Sequence, residues 1–151
     1  MRTRIPKQLH LAALALLIVA SGVIVAACQT GDSWINVVQK AGLESTTRIE
    51  ILKSTSESPT NFVMMTTIND SATIQELVEE LDRRSALGPP AACLPQYQLR
   101  FQLADGQVEE FDYYCEDGTS FLRGSQLFWR MQEIQPPTEF DLLMARLVAG
   151  T

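Results

Sequence analysis

The sequence is poor in the side chains that carry most enzymatic chemistry. Its single histidine is His10, and from residue 11 onward there is none. That absence excludes Ser-His-Asp and Cys-His nucleophilic catalysis, histidine general bases and histidine metal sites from the rest of the chain. Lysine is nearly as scarce: beyond Lys7 only Lys40 and Lys53 remain, so Ser–Lys dyads have little material to draw on. The glycines stand singly and form no phosphate-cradling loop. None of the cysteines has a CxxC partner or a nearby histidine with which to build a metal centre. What remains is chemistry done by carboxylates, and no cofactor is implied.

Positive charge is short as well. The chain has 151 residues, 12 basic and 18 acidic, and its 46% hydrophobic content is near the globular average. One ordinary domain fits that length, while wholesale disorder and a multi-span membrane protein do not fit that composition. Three of the 12 basic residues, Arg2, Arg4 and Lys7, sit at the N-terminus, leaving nine against all 18 acidic ones. A remainder so acidic repels nucleic acid, which is excluded as a partner, and anionic membrane surfaces.

The N-terminus itself reads as an address. A basic start is followed by an apolar run from Leu11 to Ala27, broken only by Ser21 and Gly22, and closes on Val25-Ala26-Ala27-Cys28. These are the parts of an export signal. The closing tetrad resembles the lipobox of bacterial lipoproteins, and the resemblance implies cleavage before Cys28 and a diacylglycerol thioether on its sulfur. Acyl chains, at about 0.8 kcal/mol per buried methylene, would make a durable membrane anchor. An uncleaved signal anchor is the alternative, and both place the remainder outside the cytoplasm, because the positive flank stays inside. Residues 1–27 are thus expected to be a signal peptide, 28–45 a lipidated tether and 46–151 one extracytoplasmic domain at the cell envelope. The resemblance stops at Cys28.

Within the tether, Trp34, Val37, Val38 and Ala41 fall at helical spacing, with Asp32 as a candidate cap and Gly42 as a stop. Trp34 either lies near the lipid surface or packs on its own domain. Further on, the two remaining cysteines, Cys93 and Cys115, are an even pair in an exported chain and so are expected as a disulfide. Two reactive thiols or metal ligands are the alternative.

Strands are expected at 47–53 and 62–68 around a turn at 54–61, with Phe62, Met64, Thr66 and Ile68 on one face. A helix follows, capped near Asp70, with Ile74, Leu77, Val78 and Leu81 as its apolar stripe and a capping box at Thr73 and Glu76, ending at Gly88-Pro89-Pro90. From Gln96 to Leu103 a strict alternation sends Tyr97, Leu99, Phe101 and Leu103 one way, which signals an antiparallel sheet with one wet face. Asp105-Gly106 marks a hairpin. A two-residue loop would mix apolar with charged faces, so an odd-length loop or bulge is expected, pairing Phe101 with Phe111, Leu99 with Tyr113 and Tyr97 with Cys115. Residues 119–124 and 127–131 are strand-like. A last helix begins after Pro136-Pro137, capped by Thr138, with Phe140, Leu143, Met144 and Leu147 as its stripe. The fold class is therefore α+β: an antiparallel sheet of four to five strands, order ββαββ(β)α, with one face covered by two helices.

Two constellations bear on function. Arg123, Phe128, Trp129 and Arg130, beside Phe121, have the composition of a binding hot spot, with Arg123 and Trp129 its centre; core packing with an arginine–carboxylate pairing is the alternative. The acidic hairpin supplies Glu109, Asp112, Glu116 and Asp117, weak candidates for a cation site, although strand alternation sends neighbouring carboxylates to opposite faces. The resulting expectation is a lipid-anchored, non-enzymatic module that binds an envelope protein or peptide through its sheet face or edge. A cation or small-ligand sensor, or a carboxylate-only hydrolase acting on envelope polymer, stands behind it. Replacing Cys28 by alanine is expected to leave an unlipidated precursor; mass spectrometry showing normal lipidation of that variant would refute the anchor.

Overall fold

The position of one glycine sets the pairing at the centre of the sheet. In a three-residue hairpin loop the last residue adopts a left-handed conformation, which only glycine takes at little cost. Gly106, at φ +86°, is that residue. The loop is therefore 104–106, closed by Leu103 N–H donating to the Gln107 carbonyl at 2.9 Å and Gly106 N–H to the Leu103 carbonyl at 3.0 Å. The loop is odd, as the face-matching argument requires. The pairing is nonetheless two residues from the expected one: Leu99 faces Phe111, Tyr97 faces Tyr113 and Pro95 faces Cys115. A shift of two preserves which side each residue faces, so the apolar stripe survives the correction.

The protein is described from a computed structural model over residues 34–55, 58–90, 92–115, 117–125 and 132–150. Cys28 and the rest of the signal region lie outside the described residues. Seven strands are described: β1 (Trp34–Asn36), β2 (Thr46–Thr55), β3 (Ser58–Ile68), β4 (Arg84–Ala86), β5 (Pro95–Leu103), β6 (Val108–Cys115) and β7 (Leu122–Arg123). The helices are α1 (Val37–Ala41), α2 (Ser71–Leu81) and α3 (Thr138–Ala149). Five strands form one antiparallel sheet in the order β3-β2-β5-β6-β7, and β1 pairs with β4 in a small second sheet. The molecule is α+β.

Rows of paired residues define the two sides of the large sheet. On one side lie Ile49 with Phe101, Ile51 with Leu99 and Phe111, and Tyr113 with Leu122. Against them pack Ile74, Leu77 and Leu81 of α2 and Phe140, Leu143 and Met144 of α3, in one continuous buried cluster. Edge-to-face ring pairs, Phe101 on Phe111 at 5.7 Å and Tyr113 on Phe140 at 5.6 Å, tie strands to strands and sheet to α3. Asp70 caps α2 by accepting from both the backbone N–H and the hydroxyl of Thr73. Thr73 is thereby committed to Asp70 and does not open a capping box with Glu76. Thr138 is the first residue of α3 and not its cap: Pro137 holds the cap position without a side-chain bond.

Several expectations are corrected. The stripe expected along β3 is broken by a register shift, because Ile51 pairs with Thr66 but Leu52 with Met64. The extra residue moves Met64 and Phe62 to the side opposite Thr66 and Ile68. The turn expected over 54–61 is much tighter, since Thr55 already pairs with Ser58, and Pro59 lies within β3. Proline is accommodated there because β3 is an outer strand with one unpaired edge. Helix α2 stops at Leu81, ahead of the expected Gly-Pro-Pro, because the following residues pair with Trp34–Asn36. Residues 34–45 are part of the packed unit and not of a tether: Val37, Val38 and Leu43 are fully buried. Asn36, not Asp32, caps α1, accepting from Gln39 N–H at 3.1 Å, while Gly42 at φ +68° ends it as expected. Trp34 is 52% exposed and packs only in part on its own domain. Of the two strand-like runs after residue 118, β7 keeps two residues, and 126–131 lie outside the described residues.

Cys93 and Cys115 are joined in a disulfide with their Cα atoms 5.7 Å apart. It fastens the segment leading into β5 to the last residue of β6. Closing a loop across a sequence separation of 22 stabilises by about 3 kcal/mol in the chain-entropy account. Replacing both cysteines with alanine is expected to lower the unfolding free energy by that order; urea titration of the pair variant against the parent measures it, and an unchanged midpoint would show the bond to be mechanically idle.

Candidate functional site

Of the two constellations legible in the sequence, the described members Arg123 and Asp112 lie on the open side of the sheet. Arg123 lies among two carboxylates and a ring. Its Nη2 lies 3.4 Å from Asp112 Oδ2, its Nη1 lies 3.9 Å from Glu133 Oε2, and its guanidinium stands 5.0 Å from the Phe121 ring centre. Arg123 thus makes the arginine–carboxylate pairing, beside a buried Phe121. Phe128, Trp129 and Arg130 lie outside the described residues, as does Glu116.

The remaining charges on that side are paired in the same way. Arg48 meets Glu50 at 2.8 Å, Gln102 donates to Glu50 at 2.9 Å, and Arg100 meets Glu110 at 2.8 Å. Burial pushes the Asp112 carboxyl above the usual range, while Arg123 beside it works in the opposite direction. Glu109 belongs to the opposite side of β6, alongside Phe111, by strand alternation. Asp117 accepts from Thr119 N–H at 2.9 Å within its own turn. The structure thus does not bring Glu109, Asp112 and Asp117 together. Among the described residues no group of three histidine, cysteine, aspartate or glutamate side chains is arranged to hold a metal ion.

A different site emerges at the other end of the hairpin, between the disulfide end of β5–β6 and helix α3. A groove of about 440 Å³ is lined there by Tyr97, Tyr113, Tyr114, Ser120, Asp141 and, from α3, Leu142, Met144 and Ala145. That volume falls in the range of small-molecule sites. The chain has three tyrosines, and all three line this groove. Tyr97 and Tyr113 are cross-strand partners with ring centres 6.2 Å apart, and Tyr113 and Tyr114 are 5.5 Å apart. A larger hollow of about 610 Å³ lies between α1 and α2. Of its acidic lining, Asp82 accepts from Asn36 and Glu79 from Gln75.

Two consecutive tyrosines reach one groove because the strand is locally reversed in hand. Alternation would send Tyr114 to the side opposite Tyr113. Tyr114 instead has φ +63°, the one non-glycine residue with positive φ among the described residues. Such a conformation costs an aromatic residue on the order of 1–3 kcal/mol and persists only where the surroundings enforce it. Here the enforcement is the turn beyond it, with Cys115 N–H on the Thr119 carbonyl and Gly118 N–H on that of Cys115, and the disulfide at Cys115. The result places the Tyr114 hydroxyl beside Gly118.

Asp141, in the first turn of α3, organises the floor. Its Oδ1 accepts from the Tyr113 hydroxyl at 2.8 Å and from the Ser120 hydroxyl at 2.7 Å. Burial, followed by the bond to Asp141, drives the Tyr113 phenol far above its ordinary value; burial and then Tyr114 raise Tyr97 as well. Both donors to Asp141 are neutral, and the described lining holds no lysine or arginine. The arrangement therefore has the parts of a binding site: aromatic faces, an apolar helix wall and one carboxylate. Sequence reasoning missed Tyr97, Tyr113, Tyr114, Ser120 and Asp141. One signal was present: the tyrosines flank the two bridged cysteines, with Tyr97 four residues after Cys93 and Tyr113-Tyr114 directly before Cys115.

A raised phenol binds its proton more tightly in the folded state, so the stability it contributes is complete below its ordinary value of 10.0 and is lost as pH rises above it. Tyr113→Phe is expected to cost about 1–2 kcal/mol at neutral pH, since Asp141 keeps its bond to Ser120. Above pH 10 the variant should lose stability less steeply than the parent. Denaturant midpoints followed across that range test this, and parallel curves would show that Tyr113 is not the titrating group. No family model, curated protein or solved structure matches the chain.

Proposed function

We propose that this chain is a lipid-anchored, extracytoplasmic binding module of the cell envelope, and that its ligand sits in the tyrosine groove beneath α3. The anchor rests on the Val25-Ala26-Ala27-Cys28 tetrad after an apolar run. The disulfide supports an oxidising compartment. The observation that carries the binding role is Tyr114: a strained backbone retained in a way that turns a third tyrosine into the groove. Strain of this kind concentrates at functional sites. A non-enzymatic role is supported by the described lining, which holds one carboxylate, already hydrogen-bonded by two hydroxyls, and no histidine, lysine or second carboxylate. The groove replaces the sheet face as the site because the open face satisfies its charges internally.

Site-specific photocrosslinking in native membranes separates the two surfaces. A photoreactive residue at Leu142, exposed at the groove, is expected to give a discrete adduct that disappears when Ala145→Trp fills the groove. The same group at Val108, exposed at the far end of the hairpin, should give none. Adducts at position 108 alone would return the function to the sheet, and none at either position would sink the groove.

A further inference from the structure

We infer that the groove selects a small organic ammonium, a cation whose charge is carried on alkyl groups and not on a hydrated metal; this rests on the groove being the ligand site. Three features lead there. First, the three rings and the one carboxylate of the described lining are all groups that attract a cation. Aromatic faces are negative at their centres, and Tyr97 and Tyr114 present half-buried rings beside the almost wholly buried Tyr113. Second, Asp141 has no cationic partner among the described residues, in contrast to Glu50, Glu110 and Asp112, each of which faces an arginine. Its described side-chain partners are the Tyr113 and Ser120 hydroxyls, so a ligand cation is the group that would complete it.

Third, the remainder of the lining excludes the other cations. Leu142, Met144, Ala145 and Val148 supply an apolar wall, and a single carboxylate cannot replace the six or more oxygens of a hydrated calcium ion. An alkylated ammonium is weakly hydrated and gives up little on entering such a wall. An anion meets a carboxylate and ring faces, both repulsive. The volume of about 440 Å³ suits a small molecule in place of a protein segment.

The test is an NMR titration of the folded protein that follows the ring resonances of Tyr97 and Tyr114. Choline is compared with its uncharged carbon isostere, in which a tert-butyl group replaces trimethylammonium, and with sodium chloride at matched ionic strength. Choline is expected to shift both rings and to bind about tenfold more tightly than the isostere, the size of effect that a desolvated cation–aromatic contact supplies. Asp141→Asn, which keeps an acceptor for both hydroxyls, should narrow that preference severalfold. Tyr97→Leu should weaken choline about tenfold, and Tyr97→Phe, which keeps the ring face, should restore it.

Equal binding of choline and the isostere would overturn the inference while leaving the groove as an apolar ligand site. No shift with choline, together with a persistent groove adduct at Leu142, would also overturn it and leave the proposed function standing. No shift and no adduct would remove both.

Discussion

Everything that faces the helices depends on the register of one hairpin. With Gly106 as the left-handed residue of the loop, Leu99 and Phe111, then Tyr97 and Tyr113, stand opposite each other on the covered side. A slip of one residue would exchange that stripe for Arg100, Glu110 and Asp112. The core would then take in charges, and the groove would lose its floor. The glycine acts at a distance of several residues because each strand position inherits its side from the turn. The disulfide fixes the same register from the opposite end, through Cys115 paired at Pro95. The central hairpin is thus clamped at both ends, and α3 packs against the surface it presents.

The two sides of the sheet treat charge differently. On the open side, acids and arginines alternate across neighbouring strands, as in Glu50, Arg100 and Glu110, so each charge is met within the sheet. Exposed pairs such as Arg100–Glu110 contribute little stability each. Their effect is to leave that side electrically quiet despite the acidity of the chain. On the covered side Asp141 is met, among the described residues, by hydroxyls. The contrast marks the groove more sharply than its size does, since the hollow between α1 and α2 is larger.

Features governed by short-range pattern were legible in the sequence. The alternation of β5, the apolar stripes of α2 and α3 and the Cys93–Cys115 bridge follow from periodicity and parity, and with them the α+β class. What escaped depends on contacts between distant residues. Strands β1 and β4 have three residues each and no alternation long enough to register; they exist because Asn36 and its neighbours meet Arg84–Ala86. The bulge in β3 is imposed by pairing with β2, and a regular period was read straight through it. Tyr114 escaped for the same reason: its backbone is set by the turn at Cys115–Thr119, while alternation assigned it to the other side. The groove is the sum of such effects. No local window contains both Asp141 and Tyr113, which lie 28 residues apart.

The breaks in β3 have a consequence for the molecule among its own copies. An outer strand of eleven residues, Ser58 to Ile68, is long enough to template a further strand from a neighbour. Its partner edge, β7, is only two residues long and offers almost nothing to extend. On β3 the register shifts bend the ladder, and Pro59 lacks an amide hydrogen to donate. A neighbouring chain arriving edge to edge finds no uninterrupted run of donors and acceptors. What a pattern reader counts as irregularity is, colloidally, a barrier to polymerisation, and it lets the sheet keep a long free edge without recruiting its neighbours into a fibre.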